Sequence, residues 1–309
     1  MTGFLAELGA KLADRWMSLL LLPGLLWTAT LLVGAHLGQT RAFSVGVIEH
    51  WLDGYAAHRG GYGDGAIILV LGALALASAA AGLAASGLGT LLTSLWVLPG
   101  YRRPLASILG LRARRWERVT TAARQAFAQA AAMPPDAPGY EAALDRARVA
   151  ERRRARFGPR PQRPTKVGDC FLGVAQRVET AYGLDLDPAW PRLWAVLPEA
   201  LRADLTAAQD GYGAAGRLVG WGLLYAALAV LWWPAVLLAG AVGTAGWRRA
   251  RRSADVLGVL VETAVDLHIN DLATALGLEP DGHKPATAAT GKAINELLAK
   301  RTAPAAQDR

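Results

Sequence analysis

Five histidines, a single cysteine and a glycine-rich run are the places where this sequence could carry chemistry. The histidines are His36, His50, His58, His268 and His283. No His-Glu-x-x-His pair, second cysteine or Asp-rich loop accompanies them, so the ligand spacing of a zinc or calcium site is missing. His50, Asp53 and His58 share one loop, where a structural or solvated role outweighs a metal or proton-sensing one. Asp266 and His268 stand two apart and do not face each other on a helix, which disfavours a dyad. Glu262 and Asp266, four apart, put two acids on one helical face, expected to be solvated or to partner Arg251 and Arg252. Cys170 cannot close an internal disulfide and, in a mostly apolar stretch, reads as a small buried side chain rather than a nucleophile. The run Gly-Gly-Tyr-Gly-Asp-Gly at 60–65 lacks a preceding strand, a phosphate-binding lysine and a Gly-x-Gly-x-x-Gly frame, and reads as a flexible loop. No Gly-x-Ser-x-Gly turn occurs and no charged residue lies inside an apolar segment, which argues against a proton-coupled transporter. No catalytic, cofactor-binding or metal-binding residue is assigned, and the chain reads as non-enzymatic.

The elements that hold these residues point to a membrane. Apolar residues make up 53% of the 309 and charged residues only 19%, below the roughly 25% charge of soluble domains. Residues 17–38 contain no Asp, Glu, Lys or Arg, and about 20 such residues cross a hydrocarbon core. They are read as a retained anchor rather than a cleaved signal, because the stretch is too long for a signal core and no Ala-x-Ala site follows. Residues 66–100 are equally uncharged. As one straight helix they would reach about 50 Å, so the segment must tilt, project from the membrane or break near Gly87–Gly89. Ser78, Gly82, Ser86, Thr90 and Ser94 recur at every fourth position within it, a strip of small residues expected to pack against another helix, in the subunit or between subunits. Residues 218–247 form the third uncharged segment. Its length suits one span, but Trp232-Trp233-Pro234 at its centre would sit better at an interface, with the chain turning there.

Charge orients these segments. Arg102, Arg103, Arg112, Arg114 and Arg115 follow the second, and Arg248, Arg249, Arg251 and Arg252 follow the third. Arginine-rich flanks stay in the cytoplasm, where they meet anionic lipid or a partner. The 39–65 loop is then extracytoplasmic, with the N-terminus, the central region and the C-terminus cytoplasmic. That requires an even number of crossings, so a hairpin in the third segment, giving four membrane helices or half-helices, is preferred to three full spans.

The expected organisation is therefore all-α: an interfacial amphipathic helix at 1–16, a transmembrane helix at 17–38, the loop at 39–65, a long or broken transmembrane helix at 66–100, a basic cytosolic helical region at 101–217, a transmembrane segment or hairpin at 218–247, and a cytosolic helical tail at 248–309. Residues 101–166 carry 16 Lys and Arg against 5 acids. Helices are expected at 105–132 and 140–156, parted by a Pro-rich turn, then at 165–183 and from Pro188 onward, with a strong helix at 254–276 and a weaker one at 290–300. Nucleic acid is disfavoured as a partner, because neither aromatic interleaving nor a DNA-binding motif accompanies the charge.

Thr-Lys-Val-Gly-Asp at 165–169, Tyr-Gly-Leu-Asp at 182–185, Trp-Pro-Arg-Leu-Trp at 190–194 and Leu-Pro-Glu at 197–199 resemble a group of uncharacterised actinobacterial multi-pass membrane proteins. Ala264, Asp266, Leu267 and His268 extend the likeness. Asp169 and Cys170 depart from the pattern, which more often has Asn and an aliphatic residue. The resemblance implies a membrane location and a cytosolic helical portion, and transfers no catalytic residue. The function expected is a membrane anchor or scaffold that self-associates as a homo-oligomer, contacts anionic lipids and engages a cytosolic protein. The alternative is a homo-oligomeric pore lined by 66–100.

Overall fold

The computed structural model describes residues 22–42, 44, 46–47, 49, 53–54, 64–100, 103, 105–278 and 286–299. Nine α-helices run through them: α1 (Leu22–Leu37), α2 (Asp64–Val97), α3 (Leu105–Ala131), α4 (Tyr140–Ala155), α5 (Lys166–Tyr182), α6 (Leu186–Val196), α7 (Glu199–Leu228), α8 (Ala235–Ala275) and α9 (Ala288–Leu298). No strand occurs among the described residues. The expected interfacial helix at 1–16, the start of the first apolar segment at 17–21, and most of the 39–65 loop with His50 and His58 lie outside them, as do Arg102 and His283.

Two compact units divide the chain. Met1–Thr93 and Ala207–Ser253 make the first, Ser94–Thr206 and Ala254–Arg309 the second. In the first, α1, α2 and the parts of α7 and α8 that belong to it pack at small residues. A Cβ built on Gly24 would lie 2.2 Å from the Ser78 carbonyl oxygen, and one on Gly220 would lie 2.2 Å from that of Ala85. Gly89 meets the Arg217 backbone nitrogen at 2.7 Å in the same sense, and Gly222 meets the Gly243 Cα at 2.9 Å. With no side chain between them the helix backbones touch, the arrangement typical where helices associate by van der Waals packing.

The pairings fix the directions. Ala85 with Gly220 and Gly89 with Arg217 make α2 and α7 antiparallel; Gly222 with Gly243 and Gly246 with Val219 do the same for α7 and α8. Trp27 and Leu31 of α1 pack with Tyr225, Leu228 and Ala235. At one end, Gln39 Nε2 donates to the carbonyls of Ala229 and Val230 at 2.9 and 2.6 Å, and Trp232 Nε1 donates to Ala42 at 3.0 Å. The loop after α1 and the turn joining α7 to α8 are thus tied together.

The structure sharpens the two awkward segments. α2 passes through Gly87–Gly89 without a break. The third apolar segment is interrupted at 229–234, between the end of α7 and the start of α8. Pro234 immediately precedes α8, where its missing N–H leaves no helical bond unmade. The stretch from 235 to 276, expected as a membrane arm followed by a separate tail helix, is instead the single helix α8. Its joint at 248–253 has no Gly or Pro, and arginine is a good helix former.

The second unit has a conventional aliphatic core. Val178, Leu184, Leu193, Leu197, Leu205, Val265, Ile269, Leu272 and Ile294 are buried together, with Tyr182, Trp190 and Trp194 against them. Thr165 caps α5 by accepting from the Gly168 N–H at 2.9 Å and donates to the Trp96 carbonyl at 2.6 Å. Gly183 ends α5 in the left-handed region (φ 63°), a backbone conformation that favours glycine. α3 and α4 form a hairpin whose interface is Ala130, Ala143 and Ala147, with Ala126 and Met133 beside them.

Gly220→Leu should destabilise the first unit by roughly 1–3 kcal/mol or more through overpacking. Gly72→Leu, whose Cβ meets nothing within 4 Å, should change stability by less than about 0.5 kcal/mol. Unfolding of the purified protein in mixed detergent and SDS, followed by circular dichroism, measures both.

Candidate interaction surfaces

Large apolar side chains cover the outside of the first unit. Ile68, Leu69, Leu71 and Leu76 of α2 are 60–75% exposed, Leu22 and Leu26 of α1 are each 64%, and Val230 and Leu237 beside the α7–α8 turn are 79% and 65%. α1 and α2 turn Gly24, Thr28, Ser78, Ala81, Gly82, Ala85 and Gly89 inward instead, against buried Trp221, Tyr225 and Leu228 of α7. Among the described residues α2 is the one helix long and apolar enough to cross a membrane, and its apolar window is only 17% buried; α1 is a shorter apolar helix.

The predicted strip on α2 divides. Ser78 and Gly82 face inward, Ser86 is half-buried, and Thr90 and Ser94 are exposed. Ser78 Oγ lies 3.2 Å from Thr28 Oγ1, and each oxygen also lies within hydrogen-bonding distance of a carbonyl of its own helix. The hydroxyls of Ser86 and Thr90 turn back onto the carbonyls of Gly82 and Ser86. A strict four-residue step advances about 40° around a helix at each repeat, so the strip winds off the packed face. The face actually used runs Ser78, Ala81, Gly82, Ala85 and Gly89. A second, unpartnered line of small residues remains on the outside of α2: Ala73, Ala77, Ala80 and Ala84, all exposed.

The arginines separate as well. Arg103, Arg114, Arg115, Arg248, Arg249, Arg251 and Arg252 are exposed. Arg112, expected to contact lipid or a partner, is taken up inside the second unit. It binds Asp169 Oδ2 at 2.8 Å and the Arg163 carbonyl, with only 21% of either ionic side chain exposed. Asp169 Oδ1 in turn accepts the backbone N–H groups of Gln162 and Arg163 at 2.8 and 2.7 Å. One carboxylate thereby joins α3, the 159–165 segment and the first turn of α5.

Glu262 and Asp266 do not pair with Arg251 and Arg252. Glu262 forms an ion pair with Arg177, and Asp266 accepts a hydrogen bond from the Tyr182 hydroxyl at 2.8 Å. That bond, with burial second, raises the Tyr182 hydroxyl pKa. Both acids reach across to α5, a long-range pairing that helical spacing on α8 alone gave no means of seeing. His268 Nδ1 lies 2.7 Å from Asp271 Oδ2. Asn295 donates to the Gly183 carbonyl and accepts from the Asp185 N–H, holding the turn between α5 and α6. The motif residues Leu184, Trp190, Leu193, Trp194 and Leu197 are core or packed against it, so their role in the fold is to build it. Asp53 is exposed in the loop after α1. No group of three His, Cys, Asp or Glu side chains gathers as a metal site among the described residues.

A groove of about 730 Å³ runs between α3 and α4. Val119, Ala122 and Val149 line its floor, and Arg118, Arg146 and Arg153 stand along it. Val149 is 57% exposed. Asp145, also at the groove, is engaged by Arg148 at 3.1 Å.

No protein-family model matches this chain, and no curated protein or solved structure matches it either.

Cys170 is partly buried, with its Sγ 3.6 Å from the Ala254 carbonyl. Burial first, and then the neighbouring Asp255 carboxylate, push its thiol pKa up to about 11. Only the thiolate alkylates. Relative to a thiol at the ordinary value of 9.0, its reaction with iodoacetamide at pH 7.5 should be about 100-fold slower. The rate should climb about tenfold per pH unit toward pH 11 and rise at once in denaturant. A fast reaction in the folded protein at neutral pH would overturn this.

Proposed function

We propose that this chain is a non-enzymatic membrane anchor or scaffold of the cell membrane, crossing the bilayer four times, that self-associates and engages a cytosolic protein. The observation that carries the reading is the sorting on α1 and α2: small residues and paired hydroxyls face inward, and most of the large aliphatic side chains face outward. A soluble bundle with that surface would expose far more contiguous apolar area than water tolerates. Lipid solvates it, and leaves small-residue packing to hold the helices.

The directions of packing support four crossings. α1 runs parallel to α7, and α2 and α8 run back, with the loop after α1 and the 229–234 turn at the same end. Gly246, two residues before Arg248, packs on Val219, two residues after Arg217, and Arg217 packs on Gly89. On this reading these contacts lie at one level, the cytoplasmic boundary, where the arginines would meet anionic headgroups. α2 would then cross between about residues 65 and 88, roughly 35 Å, and its remaining turns would project beyond. The arms of the α7–α8 hairpin are short, some 14 residues or roughly 20 Å each, a crossing accommodated by local bilayer thinning. The exposed line Ala73, Ala77, Ala80 and Ala84 offers the self-association face. A pore lined by α2 is less well supported, because the Ser78 hydroxyl and Gly82 are used within the chain.

The test combines topology and association. In a Cys170→Ser background, Asp53→Cys should label with a membrane-impermeant maleimide from outside intact cells, and Asp136→Cys only after permeabilisation. Equal labelling, or release of the protein from membranes by alkaline carbonate, would sink the anchor reading. Ala77→Leu with Ala84→Leu should shift the detergent-solubilised protein toward monomer in light scattering. A wild-type monomer would refute self-association while leaving the topology standing.

A further inference from the structure

The α3–α4 hairpin is short of the apolar burial that a free-standing pair of helices needs. Its interface is built of alanines, which bring the two backbones close but bury little surface. The larger apolar groups that could have met there, Val119 and Val149, lie instead on the floor of the groove beside it. Two antiparallel helices with an open apolar furrow between them are the template for a third, which would complete a small bundle.

Charge narrows the choice of that third element. The segment 105–158 carries 11 arginines against 5 acids. Arg118, Arg146 and Arg153 are exposed along the furrow, while the one acid there, Asp145, is occupied by Arg148. A second copy of the same hairpin would bring like charge against like charge. A flat bilayer surface would use the arginines but has no shape that fills a groove between two helices. A nucleic-acid strand would use the arginines, yet finds no aromatic side chain in the groove on which a base could stack.

We propose that the α3–α4 groove docks an amphipathic helix of a partner protein, its apolar face on Val119, Ala122 and Val149 and its acidic flanks against Arg118, Arg146 and Arg153. This is recognition of a helix in a groove, where apolar anchors supply affinity and flanking charge supplies register and selectivity. It rests on the reading of the chain as an anchor for a cytosolic protein and names the site and chemistry of that engagement.

The probe is a fluorescein-labelled peptide of leucine and glutamate at helical spacing, about 18 residues long, enough for five turns along the furrow. Its binding to the full-length protein in nanodiscs is followed by anisotropy. A scrambled peptide of the same composition should bind at least about tenfold more weakly. Arg118→Glu with Arg153→Glu should weaken the amphipathic peptide by about tenfold or more, and Val149→Gln by about fivefold. Circular dichroism and melting of each variant establish that it is folded, which exposed positions on α3 and α4 should permit.

Three results would overturn the proposal. The two peptides could bind equally, meaning charge alone. The folded variants could leave binding unchanged, meaning another site. Phosphatidylglycerol vesicles could require the same side chains while the peptide does not bind, meaning a lipid surface. None of these bears on membrane insertion, which the carbonate and labelling experiments decide separately.

Discussion

The first unit depends on helix backbones meeting with no side chain between them. At Gly24 against Ser78, and at Gly220 against Ala85, even a methyl group would collide with a carbonyl oxygen. This constraint fixes which faces turn inward, because only Gly, Ala, Ser and Thr leave room for such an approach. Most of the larger aliphatic side chains of α1 and α2 are displaced to the outside, while Trp221, Tyr225 and Leu228 of α7 fill the space beside the close contacts. Outward leucines on α1, α2 and α8 therefore follow from the same contacts that set the helix directions. The Thr28–Ser78 hydroxyl pair is compatible with it, since each oxygen also has a carbonyl one turn back within hydrogen-bonding distance.

The second unit obeys a different rule. There, side chains are sorted by polarity, with leucine, isoleucine and valine gathered inside and charge left on the surface. Its polar connections act at joints between elements. Asp169 binds Arg112 and two backbone N–H groups, so loss of the carboxylate would strand a partly buried guanidinium and release the start of α5 together. Such charge-assisted bonds exceed ordinary ones in strength.

Much of the helical layout was legible because local signals were strong. The Pro-Pro-Asp-Ala-Pro-Gly turn separates α3 from α4, and α5 ends at Gly183, where the expected helix ended. The strip on α2 was only half legible. Its four-residue period matched the packed face over one step and then rotated away, whereas the face in use follows the true helical repeat through Ala81, Ala85 and Gly89. The third apolar segment sent conflicting signals, length against Trp-Trp-Pro, and tertiary contacts of Trp232 and Gln39 accompany the interruption. Pairings across the chain, Arg112 with Asp169, Arg177 with Glu262 and Tyr182 with Asp266, leave no trace in local periodicity. They depend on which helices become neighbours.

The same small-residue logic appears twice, in surroundings that give it opposite consequences. In the first unit close-packed small residues turn large apolar groups outward, where, on the proposed membrane reading, lipid would complete their solvation. In the α3–α4 hairpin an alanine interface likewise leaves Val119 and Val149 outside, but there the neighbouring groups are arginines. Apolar surface that lipid would cover must find another cover, and arginines bordering it select for acidic chemistry. If the first unit lies in a bilayer and the hairpin in water, as proposed, the same kind of exposed apolar face is already covered in one and open to an acidic partner in the other.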